Sequence, residues 1–302
     1  MKALIPLAGQ GTRLLPHTAK RQKALLPTAG KPVLDHILEP LITAGITEVS
    51  LVIGHLGEQV QEHMSKYSSL QVTYTEQRQQ RGLGEAVFLG LEDKLEPVVI
   101  VLADTIFELD YAGFINGDSN LIGVVEVDDP RRFGVVETAG SRVVDMVEKP
   151  EEPLSNLAIA GIYRIESQHK LRRALASNMD RKVMTRGEYQ LTDALNLMVG
   201  QGERFLTYPV DRWLDCGSLE TLLSTNRHLL EDQGGQFIHP EAIVERSIVR
   251  LGSIMENCRV VDSTLDGCIV LPGARLEQCH ISNEIVEEGA QLEGYLNQGG
   301  TP

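Results

Sequence analysis

The sequence predicts a three-layer α/β domain on a mostly parallel sheet, followed by a short coil of β-strands. Two patterns carry that expectation. Through most of the chain, short apolar runs alternate with segments of helical period, as a parallel sheet with crossover helices requires. Beyond residue 236, aliphatic and β-branched residues recur at roughly six-residue spacing, the repeat of a β-helix in which three short strands complete each coil. Gln233-Gly234-Gly235-Gln236 breaks the chain between the two patterns and places the domains at 1–232 and 236–295.

Each element follows from local signals. Ala3 to Ala8 reads as a buried strand ended by the turn Gly9-Gln10-Gly11. Val33 to Ala44 has helical period and stops at Gly45, with Pro40 expected to bend or split it. A strand at Glu48 to Ile53, a polar helix at Glu58 to Lys66, a strand at Val72 to Thr75 and a helix at Glu85 to Leu91 follow. Val98 to Leu102 is a wholly apolar strand bounded by Pro97 and Asp104. The texture then changes to strands joined by short turns, at Leu121 to Val127, Gly134 to Glu137 and Val143 to Glu148, with helices at Gln168 to Ala176, Leu191 to Val199 and Leu219 to Leu230. Antiparallel material of this kind near a sheet's end shapes a substrate pocket. In the tail the repeating positions are Ile238, Ile243, Ile248, Ile254, Val260, Leu265, Leu271, Leu276, Ile281, Val286 and Leu292, enough for about three coils.

Composition narrows the function. With 302 residues, 42% hydrophobic and 23% charged, the chain can bury two unequal cores. The longest unbroken apolar run, Val98 to Ala103, is far too short to cross a bilayer, and the apolar start is too short for a signal peptide, so a cytoplasmic location and no membrane partner are expected. Cys216, Cys258, Cys268 and Cys279 form no CxxC pair and no zinc spacing, and read as reduced, packed thiols. A net charge of −14 opposes binding to nucleic acid. The acidic surplus is uneven: residues 1–34 contain Lys2, Arg13, Lys20, Arg21, Lys23 and Lys31 and no acid. A basic corner on an acidic protein suits a small polyanion.

Inside that corner lies the most informative stretch, Leu7-Ala8-Gly9-Gln10-Gly11-Thr12-Arg13, followed by Lys23-Ala24-Leu25-Leu26-Pro27. Glycines let backbone N–H groups approach a phosphate, while Arg13 and Lys23 supply charged donors. Leu14 stands where a dinucleotide fingerprint has its third glycine, and no GxxxxGK[ST] run is present. Asp104 ends an apolar strand where a doubly wound fold places a metal ligand, and Asp215 in Trp213-Leu214-Asp215-Cys216-Gly217 offers a second acid. Two carboxylates suit Mg²⁺, which keeps waters and substrate phosphates in its other positions.

On these motifs the sequence resembles the sugar-1-phosphate nucleotidylyltransferases, in particular the glucose-1-phosphate thymidylyltransferases and the bacterial UTP-glucose-1-phosphate uridylyltransferases. The likeness runs over residues 1 to about 232, and the tail resembles the left-handed β-helix of longer members. It implies a Rossmann-like nucleotidyltransferase domain that joins dTTP or UTP to a sugar-1-phosphate, with glucose-1-phosphate the expected sugar and Mg²⁺ the cofactor. Carried over by position, Leu7, Ala8, Gly9, Gly11, Thr12 and Arg13 would bind the nucleotide, Arg13 and Lys23 would be catalytic, and Gln77 and Gly82 would recognise a pyrimidine. Gly134, Glu148, Lys149 and Ile159 would hold the sugar phosphate, and Asp104 and Asp215 the metal. Two departures stand out: Ala8 replaces the first glycine common in thymidylyltransferases, as in the uridylyltransferases, and Gln22 replaces the usual small residue or proline before the lysine.

The expected partners are the two small substrates and further copies of the chain in a homo-oligomer. An alternative is a catalytically silent subunit that binds sugar nucleotides for regulation or assembly, since fold does not fix function; the presence of both cations and both acids favours catalysis. A third reading, acyl transfer by the tail, rests only on His239 and His280.

Overall fold

The computed structural model describes residues 1–153 and 155–297. Its contacts gather the chain into two compact units, one made of Met1–Gln10 with Ile37–Trp213, the other of Gly11–His36 with the chain from Leu214 onward. The glycine turn is therefore divided, with Ala8 and Gly9 in the first unit and Gly11, Arg13 and Lys23 in the second. No described helix is long and apolar enough to cross a membrane.

In chain order the elements before the tail begin with β1 (Lys2–Pro6), a small hairpin of β2 (Pro27–Thr28) and β3 (Lys31–Pro32), and α1 (Val33–Thr43). Then come β4 (Glu48–Ile53), α2 (Gly57–Met64), β5 (Gln71–Glu76), α3 (Leu83–Gly90), β6 (Val98–Val101), β7 (Thr105–Glu108) and α4 (Tyr111–Ile115). The last group is β8 (Asn120–Glu126), β9 (Gly134–Ala139), β10 (Arg142–Glu148), β11 (Leu157–Ile165), α5 (Gln168–Asp180), α6 (Leu191–Gly200), β12 (Phe205–Pro209), β13 (Arg212–Asp215) and α7 (Leu219–Glu231). Helix α1 runs through Pro40 without a break. The proline forfeits one ladder bond, while Ile37, Leu38 and Leu41 around it are at most 1% exposed and hold the turn by packing.

The first unit is built on a sheet of order β5-β4-β1-β6-β11-β8-β12-β10-β9. Strands β5, β4, β1 and β6 are parallel, with Lys2 opposite both Glu48 and Val98. Because β6 is buried on both faces, all four of its residues are aliphatic. Chain order reverses at β1, which has β4 on one side and β6 on the other, and in such sheets the ligand crevice lies beyond the carboxyl ends at that reversal. β11 enters antiparallel to both β6 and β8. The sequence reading has no strand there because Gly161 interrupts the pattern. That glycine sits at φ +102, where a Cβ would approach Leu102 Cδ1 to 2.8 Å, and the register slips between Ile159 and Tyr163. The slip is a bulge that re-aims the strand around Ile159.

The tail forms a left-handed β-helix of hexapeptide-type repeats. Its three walls are stacks of short parallel strands: β14 (Gln236–Ile238), β17 (Gly252–Ile254), β20 (Ile269–Val270) and β23 (Ile285–Val286) on one; β15 (Ile243–Glu245), β18 (Arg259–Val261), β21 (Arg275–Glu277) and β24 (Gln291–Glu293) on the next; β16 (Ile248–Arg250), β19 (Thr264–Asp266) and β22 (His280–Ser282) on the third. Register pairs Val244 with Val260, Val260 with Leu276 and Leu276 with Leu292, so each coil takes 16 residues in steps of six, five and five. The apparent slips in the six-residue period are thus regular. They also displace three expected positions: Ile243 and Ile248 are 47% and 50% exposed, with Val244 and Val249 packing toward the core instead, and Val270 takes the inward place expected for Leu271. Corners recur at the same interval in left-handed conformation, as at Asn257, Gly273 and Gly289 or Arg246, Asp262 and Gln278. The four cysteines are buried and form no disulfide, and burial pushes the Cys268 thiol up to about 11, as inert packed thiols require.

Within the second unit one buried amide joins three elements. Asn226 of α7 is fully buried; its Oδ1 accepts from Ala29 N at 2.8 Å and from Ser253 Oγ at 2.7 Å, and its Nδ2 donates to Leu251 O at 3.3 Å. Beside it Phe237 lies over Gly30, where a Cβ would come within 2.4 Å of the ring. Replacing Asn226 by Ala strands a backbone donor and a hydroxyl in a dry joint and should destabilise the second unit by about 2–4 kcal/mol, read as a lowered urea midpoint.

Candidate active site

In the first unit the carboxyl end of β1 is tightly packed. Leu7 N donates to Val52 O at 2.7 Å, and Ala8 O accepts from Gln80 Nε2 at 3.0 Å. Gly54 lies against Ala8 so closely that a Cβ there would stand 2.8 Å from Ala8 O. Gly9 and Gln10 beyond it are exposed. Asp104, half-buried, follows the end of β6 in the position the sequence reading gives it.

Gln77 and Gly82 come together. Gln77 is 7% exposed, and its Nε2 donates to Gly82 O at 3.2 Å and to Glu85 Oε2 at 3.1 Å. Glu85 also accepts from Arg81 N at 3.2 Å and Arg81 Nε at 2.7 Å. Burial opposes the Glu85 charge, but the hydrogen bonds from Arg81 and Gln77 outweigh it and hold the carboxyl below its ordinary value. Gly82 is required by its φ of +111 and by Tyr189 O, 2.6 Å from where a Cβ would stand.

A second cluster forms where β9, β10, β11 and α6 meet. A Cβ on Gly134 would lie 3.0 Å from Glu148 Oε2, 3.1 Å from Ile159 Cδ1 and 3.1 Å from Thr192 Oγ1, so these four residues surround one small space. Thr192 Oγ1 donates to Glu148 Oε2 at 2.8 Å, and Lys149 Nζ lies 3.2 Å from Glu148 Oε1. Lys149 holds φ +46, a costly conformation for a residue with a Cβ; its N–H donates to Phe133 O at 3.0 Å, and its carbonyl accepts from Arg186 Nη2 at 3.0 Å. Next in line, Asp193 is pushed up by burial and by nearby Glu148, against a hydrogen bond from Thr185. Trp213 packs edge-on against Phe133, centroids 4.9 Å apart, and its buried indole N–H has no protein partner. A hydroxylated ligand satisfies such a donor. Thr192, Arg186 and Trp213 are not among the residues expected from sequence. The available signal was Thr192-Asp193 in the first turn of a helix behind buried Leu191.

The second unit holds the cations. Gly11 has φ +66 and packs on Lys23 Cβ and Thr18 Cγ2, each 3.0 Å from where its Cβ would be. Thr18 Oγ1 donates to Gly11 O at 2.9 Å, which fixes the bend. Thr12 and Arg13 are exposed on the short turn Thr12–Leu14. Gln22, the departure noted before the lysine, is 1% exposed and caps the turn that begins at Lys23, its Oε1 accepting from Ala24 N at 2.6 Å. Asp215 Oδ1 accepts from Gly217 N at 2.9 Å. A Cβ on Gly217 would meet both Asp215 Oδ1 and Arg13 Nη2 at 2.9 Å, so the glycine leaves the guanidinium room beside this carboxylate.

A parallel sheet reversing at β1 and a glycine turn following that strand in the chain define a Rossmann-like nucleotidyltransferase fold, to which the tail adds a left-handed β-helix. The nucleotidyl transferase family model matches residues 2–232, and the chain belongs to that family. Its relatives are sugar-phosphate nucleotidyltransferases. The UTP–glucose-1-phosphate uridylyltransferase AglF of Haloferax volcanii is 31% identical over 77% of this chain and 98% of its own length. The glucose-1-phosphate thymidylyltransferase of Streptomyces griseus is 31% identical over 99% and 89%. The bifunctional protein GlmU of Methanococcus vannielii is 34% identical over 77% of this chain, which spans 56% of that relative. A crystal structure of a UDP-glucose pyrophosphorylase complexed with UDP-glucose superposes with a TM-score of 0.66 at 25% identity, covering 76% of this chain and 98% of that one.

The depressed Glu85 carboxyl makes a testable link to pH. A carboxyl lower in the folded than in the unfolded state stabilises fully above the unfolded value, about 4.3, and the contribution is lost as pH falls through the lower folded value. Glu85→Gln should therefore flatten the acid limb of a melting-temperature profile below about pH 5.

Proposed function

We propose that the protein transfers a nucleotidyl group from dTTP or UTP to a sugar-1-phosphate, glucose-1-phosphate first among them, giving a nucleotide sugar and pyrophosphate. The cluster of Gly134, Glu148, Ile159 and Thr192 carries the reading, because it combines a space kept open by a missing side chain with a fixed carboxylate acceptor, a hydroxyl and an adjacent ammonium. Hydroxyl-rich ligands are discriminated by such groups far more sharply than by apolar shape. The names of the relatives support the same substrates. On this reading residues 1–232 form the catalytic domain and 236–295 its β-helix.

The sugar phosphate is already ionised, so no protein nucleophile is needed. Its oxygen attacks the α-phosphorus in line, the new P–O bond forms as the α–β bridge bond breaks, and the electron pair leaves with pyrophosphate. The protein's share is to align two mutually repelling anions and to neutralise the leaving group. Backbone groups at Leu7, Ala8, Gly9, Gly11 and Thr12 receive the nucleotide, Arg13 and Lys23 face its phosphates, and Lys149 holds the sugar's phosphate. Gln77, with its N–H groups held by Gly82 O and Glu85, has its Oε1 for the base N3–H, beside the backbone of Gly82.

The donor set suits magnesium. Asp104 and Asp215 are hard oxygen donors, and Asp215 is oriented by Gly217 N. No group of three or more His, Cys, Asp or Glu able to hold a metal occurs among the described residues, and Mg²⁺ at phosphate sites takes one or two carboxylates with waters and substrate oxygens. When bound, the ion would neutralise charge on the reacting phosphates.

A matrix of four nucleoside triphosphates against several hexose-1-phosphates, with Mg²⁺ and read as released pyrophosphate, tests the reading; no release from any pair overturns it. Arg13→Ala should lower kcat by about two or more powers of ten with an unchanged melting temperature, the scale of losing one preorganised charge donor. Gly134→Ala should raise KM for the sugar phosphate roughly tenfold and leave KM for the triphosphate unchanged.

A further inference from the structure

We propose that the carboxy-terminal coil of the β-helix positions the phosphate-binding cations, with Glu287 and Glu288 acting as positioning residues through His17 and Arg21. The inference rests on the transfer reading above for what the cations bind. The segment carrying Arg13 and Lys23 has no helix longer than three residues, only short turns at Thr12–Leu14, His17–Ala19 and Lys23–Leu25. Such a segment keeps a fixed shape only if something packed holds it. It belongs to the compact unit that contains the β-helix. At its far end Asn226 and Phe237 secure Ala29 and Gly30. Close to the cations the last coil takes over: Glu287 Oε1 lies 2.7 Å from His17 Nδ1, and Glu288 Oε2 accepts from Arg21 Nη2 at 2.6 Å. Arg21 stands two residues before Lys23, and His17 four after Arg13.

The repeat shows that this end is specialised. One and two coils earlier, 16 and 32 residues before Glu287, the equivalent positions are Leu271 and Met255, 2% and 7% exposed. The column therefore changes from buried aliphatic to carboxylate at the coil that meets His17. Two carboxylates near a polyanion site oppose anion binding at range, so electrostatics alone would favour their absence. Holding His17 and Arg21 is the role that explains them. Glu287 and Glu288 are 49% and 61% exposed, and ion pairs with carboxylates this solvated contribute little to global stability, so their loss should appear in substrate handling and not in folding.

The test uses the full chain and four proteins: wild type, Glu287→Gln with Glu288→Gln, Arg21→Glu, and the exchange Arg21→Glu with Glu288→Arg. Readouts are pyrophosphate release with UTP or dTTP and glucose-1-phosphate, calorimetric binding of the triphosphate, and melting temperature. The double glutamine variant should show kcat/KM for the triphosphate reduced about five- to tenfold, with a melting temperature within about 1 °C of wild type. Arg21→Glu should lose at least as much, and the exchange should recover to within about twofold of wild type. Unchanged or tighter triphosphate binding in the glutamine variant, a loss that follows a fall in melting temperature, or an exchange that recovers nothing would each overturn the brace. If wild type binds triphosphate and releases no pyrophosphate, the transfer reading fails and the brace is judged on binding; if it does not bind, both fail.

Discussion

The second unit depends on the side-chain amide of Asn226. A hairpin, a helix and the first wall of a β-helix come together there: the helix supplies the amide, and the hairpin and the wall present the backbone and hydroxyl groups of Ala29, Ser253 and Leu251 that would otherwise lack a partner. One residue with two donors and a two-lone-pair acceptor meets them all. Because buried polar groups are costly when unpaired and strong when paired, such a joint fixes one arrangement of the three elements against alternatives. The turns that carry Arg13 and Lys23 extend from the hairpin, so the geometry of the cations is inherited from it.

The first unit solves a different problem. Its pocket residues come from three consecutive strands and a later helix, and they meet where a side chain is missing and a strand slips. Gly134 leaves the space, the slip at Gly161 adjusts β11, and the left-handed backbone of Lys149, held between Phe133 O and Arg186, turns its carbonyl and side chain apart. Backbone that departs from regular geometry is costly, and these departures lie together at the candidate pocket.

Much of this was legible in the sequence, and the failures have physical causes. The apolar runs marked β1, β4 and β6 because a strand buried on both faces leaves little choice of residue. The glycine turn was legible because glycines ending an apolar strand mark a bend, and Gly11 adopts the left-handed backbone such a bend uses. β11 was not, since a bulge destroys the alternation by which strands are recognised. The inward faces of the early coils were misplaced by one residue, Ile243 for Val244 and Ile248 for Val249, because an adjacent Ile-Val pair fits either register until the stacking partner is known. Thr192 and Arg186 were missed because their place depends on tertiary contacts with β10 that no local pattern encodes. Gln22 looked like a departure from type, and the structure gives it a local role as the cap of the turn at Lys23.

The steps of six, five and five give the tail a unit of length. A deletion or insertion of one whole unit would leave the aliphatic columns and the left-handed corners in phase, whereas a one-residue change inside a strand would turn that wall inside out. A tail of this kind lengthens most simply in quanta of one coil, and each quantum would also carry Glu287 and Glu288 to a new height along the prism.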